Sequence, residues 1–195
     1  MRRVLAACLT VLVVGAATGL ASAQESDVVR MFGRDPGTGD AHACFVRHYT
    51  KAHLKSHPDQ NVTDMIAYVG RQAGPDAYYM INLQVNFRQL NKPFQVSGSC
   101  SQSTDGKQTL GCGVECDGGS LSVRVKNESA ILVEIPDSVR LFDPAATEDG
   151  DLPKGARFGS DDKLFRLDRA DLKDCAAVIY DEEIKAKVQS GAITQ

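Results

Sequence analysis

All four histidines of the chain lie within sixteen residues, at His42, His48, His53 and His57. Imidazole is a ligand for zinc, copper and nickel, so such a cluster concentrates the capacity for a transition-metal site. His53 and His57 are four apart, the spacing that places two side chains on one helix face. They are the pair expected to hold a metal if one binds. Against this, Pro58 disfavours helical geometry at His57, His48 falls in a strand pattern, and His42 precedes that strand. Neither H-E-x-x-H nor Cys-x-x-Cys occurs. No cofactor is therefore implied by motif, and the histidines read first as surface or structural residues.

Other polar groups offer less. Asp149-Gly150-Asp151 and Asp161-Asp162 invite a calcium reading, but neither supplies the alternating oxygens, the sixth-position Gly and the twelfth-position Glu of an EF-hand loop. Glu115-Cys116-Asp117-Gly118-Gly119-Ser120 sets two carboxylates beside a cysteine. It reads as a hairpin turn that uses glycine for positive φ, or else as a rim carrying acid/base or ligand contacts. No G-x-S-x-G and no phosphate-loop glycine spacing is present, and the histidines stay in one N-terminal patch, so no hydrolytic triad is visible and no catalytic residue is expected. Asn61-Val62-Thr63 and Asn127-Glu128-Ser129 are glycosylation sequons. Tyr68, Tyr78 and Tyr79 could form an aromatic contact patch, although half-buried strand positions account for them equally.

The N-terminus reads as a signal peptide over residues 1–23. Arg2 and Arg3 precede an uncharged apolar run from Val4 to Leu20, and Ala21-Ser22-Ala23 supplies the small residues of a cleavage site. Cleavage after Ala23 predicts a periplasmic or secreted protein. No later segment is long and apolar enough for a helical membrane span. The net charge of −3 leaves no basic excess to neutralise phosphates and argues against nucleic acid as a partner.

After residue 23 five cysteines remain: Cys44, Cys100, Cys112, Cys116 and Cys175. In an oxidising compartment they should mostly pair. Cys112 and Cys116 are ~13 Å apart along one strand, too far to bond each other. Cys100 and Cys112 flank Asp105-Gly106 almost symmetrically, and a tight turn there sets them opposite as a cross-strand bridge. Among Cys44, Cys116 and Cys175 the choice stays open, with Cys44–Cys175 preferred because it closes the longer loop.

The elements that must position these residues are strands. Tyr79, Ile81, Leu83, Val85 and Phe87 alternate with Met80, Asn82, Gln84, Asn86 and Arg88, a period of two. The pattern recurs at Phe94–Cys100, Leu110–Cys116, Leu121–Val125 and Ile131–Ile135, with earlier strands at Cys44–Tyr49 and Val62–Val69 and later ones at Val139–Phe142 and Lys163–Leu167. Turn residues separate them. This predicts a mainly β fold, an antiparallel meander of seven or eight strands closing into a small barrel, with a sandwich as the alternative. Thr50–Ser56 should form a short helix. Asp168 to Leu172 opens a C-terminal helical segment extending over 168–190. The expected organisation is a flexible lead-in at 24–42, then one β domain at 43–195 with an acidic loop at 143–162. From Asp143 to Glu183 twelve acidic residues face six basic ones.

Cys44-Phe45-Val46-Arg47, the Tyr49–Gln60 stretch with His53-Leu54 and His57-Pro58, and Cys112-Gly113-Val114-Glu115-Cys116-Asp117-Gly118-Gly119 resemble small exported bacterial proteins of uncharacterised function. The resemblance covers most of the chain after residue 23. It implies export and a bacterial envelope, and brings no activity and no site residues. The reading that follows is an exported, non-catalytic binding or interaction domain whose partner is a protein, a glycan or a small apolar ligand held in the barrel. The alternatives are a metal-binding protein using His42, His48, His53 and His57, and an enzyme whose site forms only in three dimensions.

Overall fold

Strict alternation leaves each strand one apolar face, and eight such strands bury that face by closing on themselves. In the computed structural model, which describes residues 26–74, 78–104, 109–115, 117–147 and 150–195, they do so. The strands are β1 (Ala41–His48), β2 (Val62–Gln72), β3 (Tyr78–Phe87), β4 (Phe94–Gln102), β5 (Leu110–Val114), β6 (Ser120–Asn127), β7 (Ala130–Glu134) and β8 (Leu164–Arg169). They form a closed barrel in sequence order, antiparallel throughout, sealed where Phe45 and Val46 of β1 pair with Arg169 and Asp168 of β8. The signal segment, Asp105-Gly106, Cys116 and Asp149 lie outside the described residues.

Register sorts side chains into the bore. Phe45 stands opposite Ala67, Ala67 opposite Leu83, and Leu83 opposite Val96, and all four are fully buried. Alternating large and small residues in such a row fills an eight-stranded bore with the protein's own atoms. Cys100 and Cys112 are directly opposed on β4 and β5 and are joined by a disulfide across 4.0 Å between Cα atoms, as their spacing predicts.

Both mouths of the barrel are stoppered. At one, α1 (Asp27–Phe32) starts on the Ser26 side chain and ends at Gly33, whose φ of 68° suits glycine. It buries Val28, Met31 and Phe32 in the barrel core, with Phe32 stacked on Tyr79 at 6.4 Å. Arg169 donates to the Arg30 and Met31 carbonyls at 2.7 and 3.0 Å, which satisfies the helix end. Residues 24–42 are thus no flexible lead-in where they are described. The apolar positions of Val28, Met31 and Phe32 give them something to bury, and β1 already begins at Ala41. At the other mouth Phe158, from the long acidic loop, packs edge-on against Phe87 and Phe165.

That loop is clasped by Asp162. This fully buried carboxylate accepts from the backbone N–H groups of Asn61 (2.7 Å), Val62 and Gly159 (2.8 Å). Burial pushes its pKa up, while these donors pull it down. A Cβ on Gly159 would lie 1.9 Å from the Asp59 carbonyl oxygen, so only glycine fits there. Asp162 is therefore occupied by the backbone. Within the same clasp, the Asn61 side-chain amide donates to Gly155 and Arg157 carbonyls, so the first sequon's nitrogen is engaged.

Two expected elements differ. Val139–Phe142 is no strand; it contributes one isolated bridge, Gln95 with Phe142. Asp168 and Arg169 end β8 rather than open a helix, because barrel closure claims them. The segment that follows is a 3₁₀ turn, Leu172–Val178, and then α3 (Glu182–Ser190), capped by the Asp181 side chain. The short helix α2 (Lys51–Ser56) forms where expected, with Thr50 as its cap.

Candidate functional site

One residue step from the filled row, the side chains point outward. Cys44 stands opposite Tyr68, Tyr68 opposite Asn82, and Asn82 opposite Ser97. On a bare barrel these would meet water. Here the C-terminal segment lies across them. Cys175 bonds Cys44, the preferred long-loop pairing of the sequence. The Asn82 amide donates to the Val178 carbonyl at 2.8 Å and its oxygen accepts from the Ser97 hydroxyl at 2.9 Å. The Gln95 amide donates to Ala177 O at 3.1 Å. Leu172, Val178, Ile179 and Val188 form a second apolar core with Tyr68 on the outside of the barrel. Buried amides are tolerated here because each has a partner.

Between this segment and the upper halves of β1–β4 opens a cleft of about 740 Å³. Its floor holds His42 and Tyr68, 6% and 2% exposed, with His42 Nδ1 hydrogen-bonded to the Tyr68 hydroxyl at 2.8 Å. Burial lowers the His42 pKa, opposed by Asp40 and Asp181 and assisted by Arg34, so the ring is neutral near pH 7. Burial raises the Tyr68 pKa, and Asp181 and Asp40 add to this. The two are a neutral hydrogen-bonded pair.

The rim is aromatic. Tyr78 on β3 and Tyr180 just before α3 are each 44% exposed, and both line the cleft. Each hydroxyl is tied back to the protein: Tyr78 to the Ser99 hydroxyl at 2.8 Å, Tyr180 to Gln95 Oε1 at 3.0 Å. Phe142, strapped to Gln95 by two 2.9 Å backbone hydrogen bonds, backs the Tyr180 ring at 6.3 Å. Around the rings stand four carboxylates, Asp40, Glu115, Asp181 and Glu183, and three cationic side chains, Arg71, Arg140 and Lys187. A wider concavity of about 930 Å³ beside residues 143–147 and 150–153 is walled largely by loop rather than by strand.

The histidine patch is divided by the fold. His42 and His48 are six residues apart on β1, ~20 Å at 3.3 Å per residue. His48 pairs with Asp64. The His53 and His57 rings stack at 4.1 Å, but His53 Nε2 is hydrogen-bonded to Gln60 Oε1 at 2.9 Å and His57 Nδ1 to the His53 carbonyl at 2.9 Å. Tyr49 and Arg47 extend the stack. Among the described residues no three His, Cys, Asp or Glu side chains are grouped to hold a metal ion. In the Glu115–Ser120 segment Asp117 has φ 56° and Gly119 φ 86°, as a tight turn requires, while Glu115 reaches the cleft. Tyr79 belongs to the core and Tyr78 to the cleft. The outward stripe is divided likewise: Asn82 is sealed under the C-terminal segment, and Arg88 donates to the carbonyls of Leu54, His57 and Gln60.

Sequence reasoning missed Tyr180, Asp40 and Gln95. A signal for Tyr180 existed, an exposed-type aromatic between the buried Val178-Ile179 and a helix cap, but nothing local ties it to Tyr78. Fold and site together define an eight-stranded antiparallel barrel with a closed bore and an outer-face cleft. Comparison with protein-family models, curated proteins and solved structures finds no match for this chain.

Proposed function

We propose that the chain is an exported, non-catalytic binding domain of the bacterial envelope that recognises its partner in the outer-face cleft. The observation that carries this is that two exposed tyrosines, each held by its hydroxyl, line one cleft, one wall of which is disulfide-anchored to the barrel. Rigid aromatic surfaces contribute contact area at little ordering cost. Support for export comes from the signal-peptide pattern at residues 1–23 and from two disulfides, which persist in oxidising compartments. The filled bore disfavours an apolar ligand inside the barrel and moves recognition outward.

The reading is tested by placing the photo-crosslinker benzoylphenylalanine at the exposed Gln72, which lines the cleft, and at the exposed Arg124 on β6, in cells expressing the chain with its own N-terminal segment. Adducts at position 72 and none at 124 are expected. Equal labelling at both positions, or none at 72, would refute it.

A catalytic reading has one observation in its favour, the buried His42–Tyr68 pair with shifted pKa values in a concave site. It ranks second because both groups are spent on each other beneath the surface. His42→Gln should therefore leave the position-72 adduct yield unchanged, whereas loss of the adduct would favour the catalytic reading.

A further inference from the structure

We infer that the ligand of the cleft is a neutral oligosaccharide, a deepening that rests on the binding reading above. Charge argues for neutrality. Four carboxylates face three cationic side chains, and Lys187 is already paired with Glu183. A strongly anionic or cationic ligand would meet as much repulsion as attraction. Surface chemistry argues against a wholly apolar ligand, since carboxylates and serine hydroxyls line the same cleft as the tyrosine rings.

Both tyrosine hydroxyls are already engaged within the protein. The Tyr180 O–H donates to Gln95 and the Tyr78 hydroxyl is hydrogen-bonded to the Ser99 hydroxyl, so what the two residues offer a ligand is ring surface. A pyranose offers the complement: a C–H face that packs on an aromatic ring, and an equatorial belt of hydroxyls that donate to carboxylates. Such charge-assisted O–H···O⁻ bonds are the stronger kind. Asp181 fits this use. One of its oxygens, Oδ1, caps α3 through Glu183 N and Ile184 N, both at 2.9 Å, and neither bond uses the other oxygen. The cleft volume of about 740 Å³ lies within the range that encloses a small organic ligand, which suits a few sugar units. A proline-rich peptide also stacks on tyrosines, but it would gain nothing from the carboxylates.

The test is a titration of the full ¹⁵N-labelled mature protein, observed by amide chemical shifts. The probes are β1,4-linked N-acetylglucosamine tetramer, β1,4-linked glucose tetramer, α1,4-linked glucose tetramer and a proline-rich decapeptide, each to roughly 10 mM. Saturable shifts around Tyr78, Ser99 and Tyr180 with at least one sugar are expected, and which sugar gives them separates N-acetylated from plain hexose ligands. Tyr78→Ala and Tyr180→Ala should each weaken binding about tenfold. Tyr180→Phe, which keeps the ring, should lose less than about threefold, and an unchanged spectrum elsewhere confirms folding. Shifts with the peptide alone would overturn the sugar assignment and leave the cleft reading standing. Silence from every sugar would also overturn it, and the crosslink at position 72 then judges the cleft independently.

Discussion

Removing the Cys44–Cys175 bond should cost more stability than removing Cys100–Cys112, by a margin set by loop length. The two bonds close loops of 131 and 12 residues. In the chain-entropy treatment, a crosslink takes 2.1 + 1.5R ln n cal/mol/K from the unfolded chain. That is about 5 kcal/mol at 25 °C for the long loop and about 3 kcal/mol for the short one. Replacing both members of a pair by Ala removes similar atoms in the two cases, since all four cysteines are buried, so the difference of about 2 kcal/mol isolates the loops. With a urea m-value near 2 kcal/mol/M, the Cys44→Ala/Cys175→Ala midpoint should fall about 1 M below that of Cys100→Ala/Cys112→Ala. The chain has no Trp, so far-UV circular dichroism and tyrosine fluorescence are the probes. Cys116→Ser in every variant prevents thiol exchange. Amide exchange adds a local readout: without Cys44–Cys175, residues 172–190 should lose protection while β3 and β4 keep theirs. Equal midpoints, or a larger loss from the Cys100–Cys112 pair, would refute the reasoning.

The Asp162 clasp should matter nearly as much. Asp162→Ala leaves three backbone N–H groups without their acceptor and should cost about 3 to 5 kcal/mol by urea unfolding; a loss under 1 kcal/mol would mean water replaces the carboxylate freely. Acid should weaken the fold through His42. Its folded pKa lies below the unfolded value of about 6.5, so its contribution is complete above that pH and is lost as pH falls from there through the lower folded value, with a slope of at most about 1.4 kcal/mol per pH unit. His42→Gln should flatten this segment of the stability profile, and an unchanged profile would show that other groups govern it. Expression through a glycosylating pathway should leave Asn61 unmodified, because its amide is held by Gly155 and Arg157 carbonyls, while the exposed Asn127 stays open to modification; peptide mass mapping checks this, and a glycan on Asn61 in folded protein would contradict the clasp.

The candidate site was legible only in pieces. Tyr68, Tyr78, Glu115 and His42 each stood out in the sequence, but His42 was grouped with three histidines that the strand carries ~20 Å away or holds in a separate ring stack. Tyr180 and Tyr78 are about a hundred residues apart, and no local pattern links them.

What the sequence alone determined is the inward half of the molecule. Period-two alternation is a property of the extended backbone. Residues such as Ile81, Leu83 and Val85 therefore had to share a face, that face had to be buried, and turns at fixed spacing made consecutive strands antiparallel neighbours. The Cys100–Cys112 bridge follows from the same register. The outward half was decided by tertiary structure. Asn82, Gln95 and Ser97 are polar, and polarity at alternate strand positions marks a solvated face unless another segment brings partners for the amides. That segment lies more than 75 residues further along the chain, from Cys175 to Tyr180, and only the closed barrel sets it there. Alternation says that two faces exist; it carries no information on what covers the second.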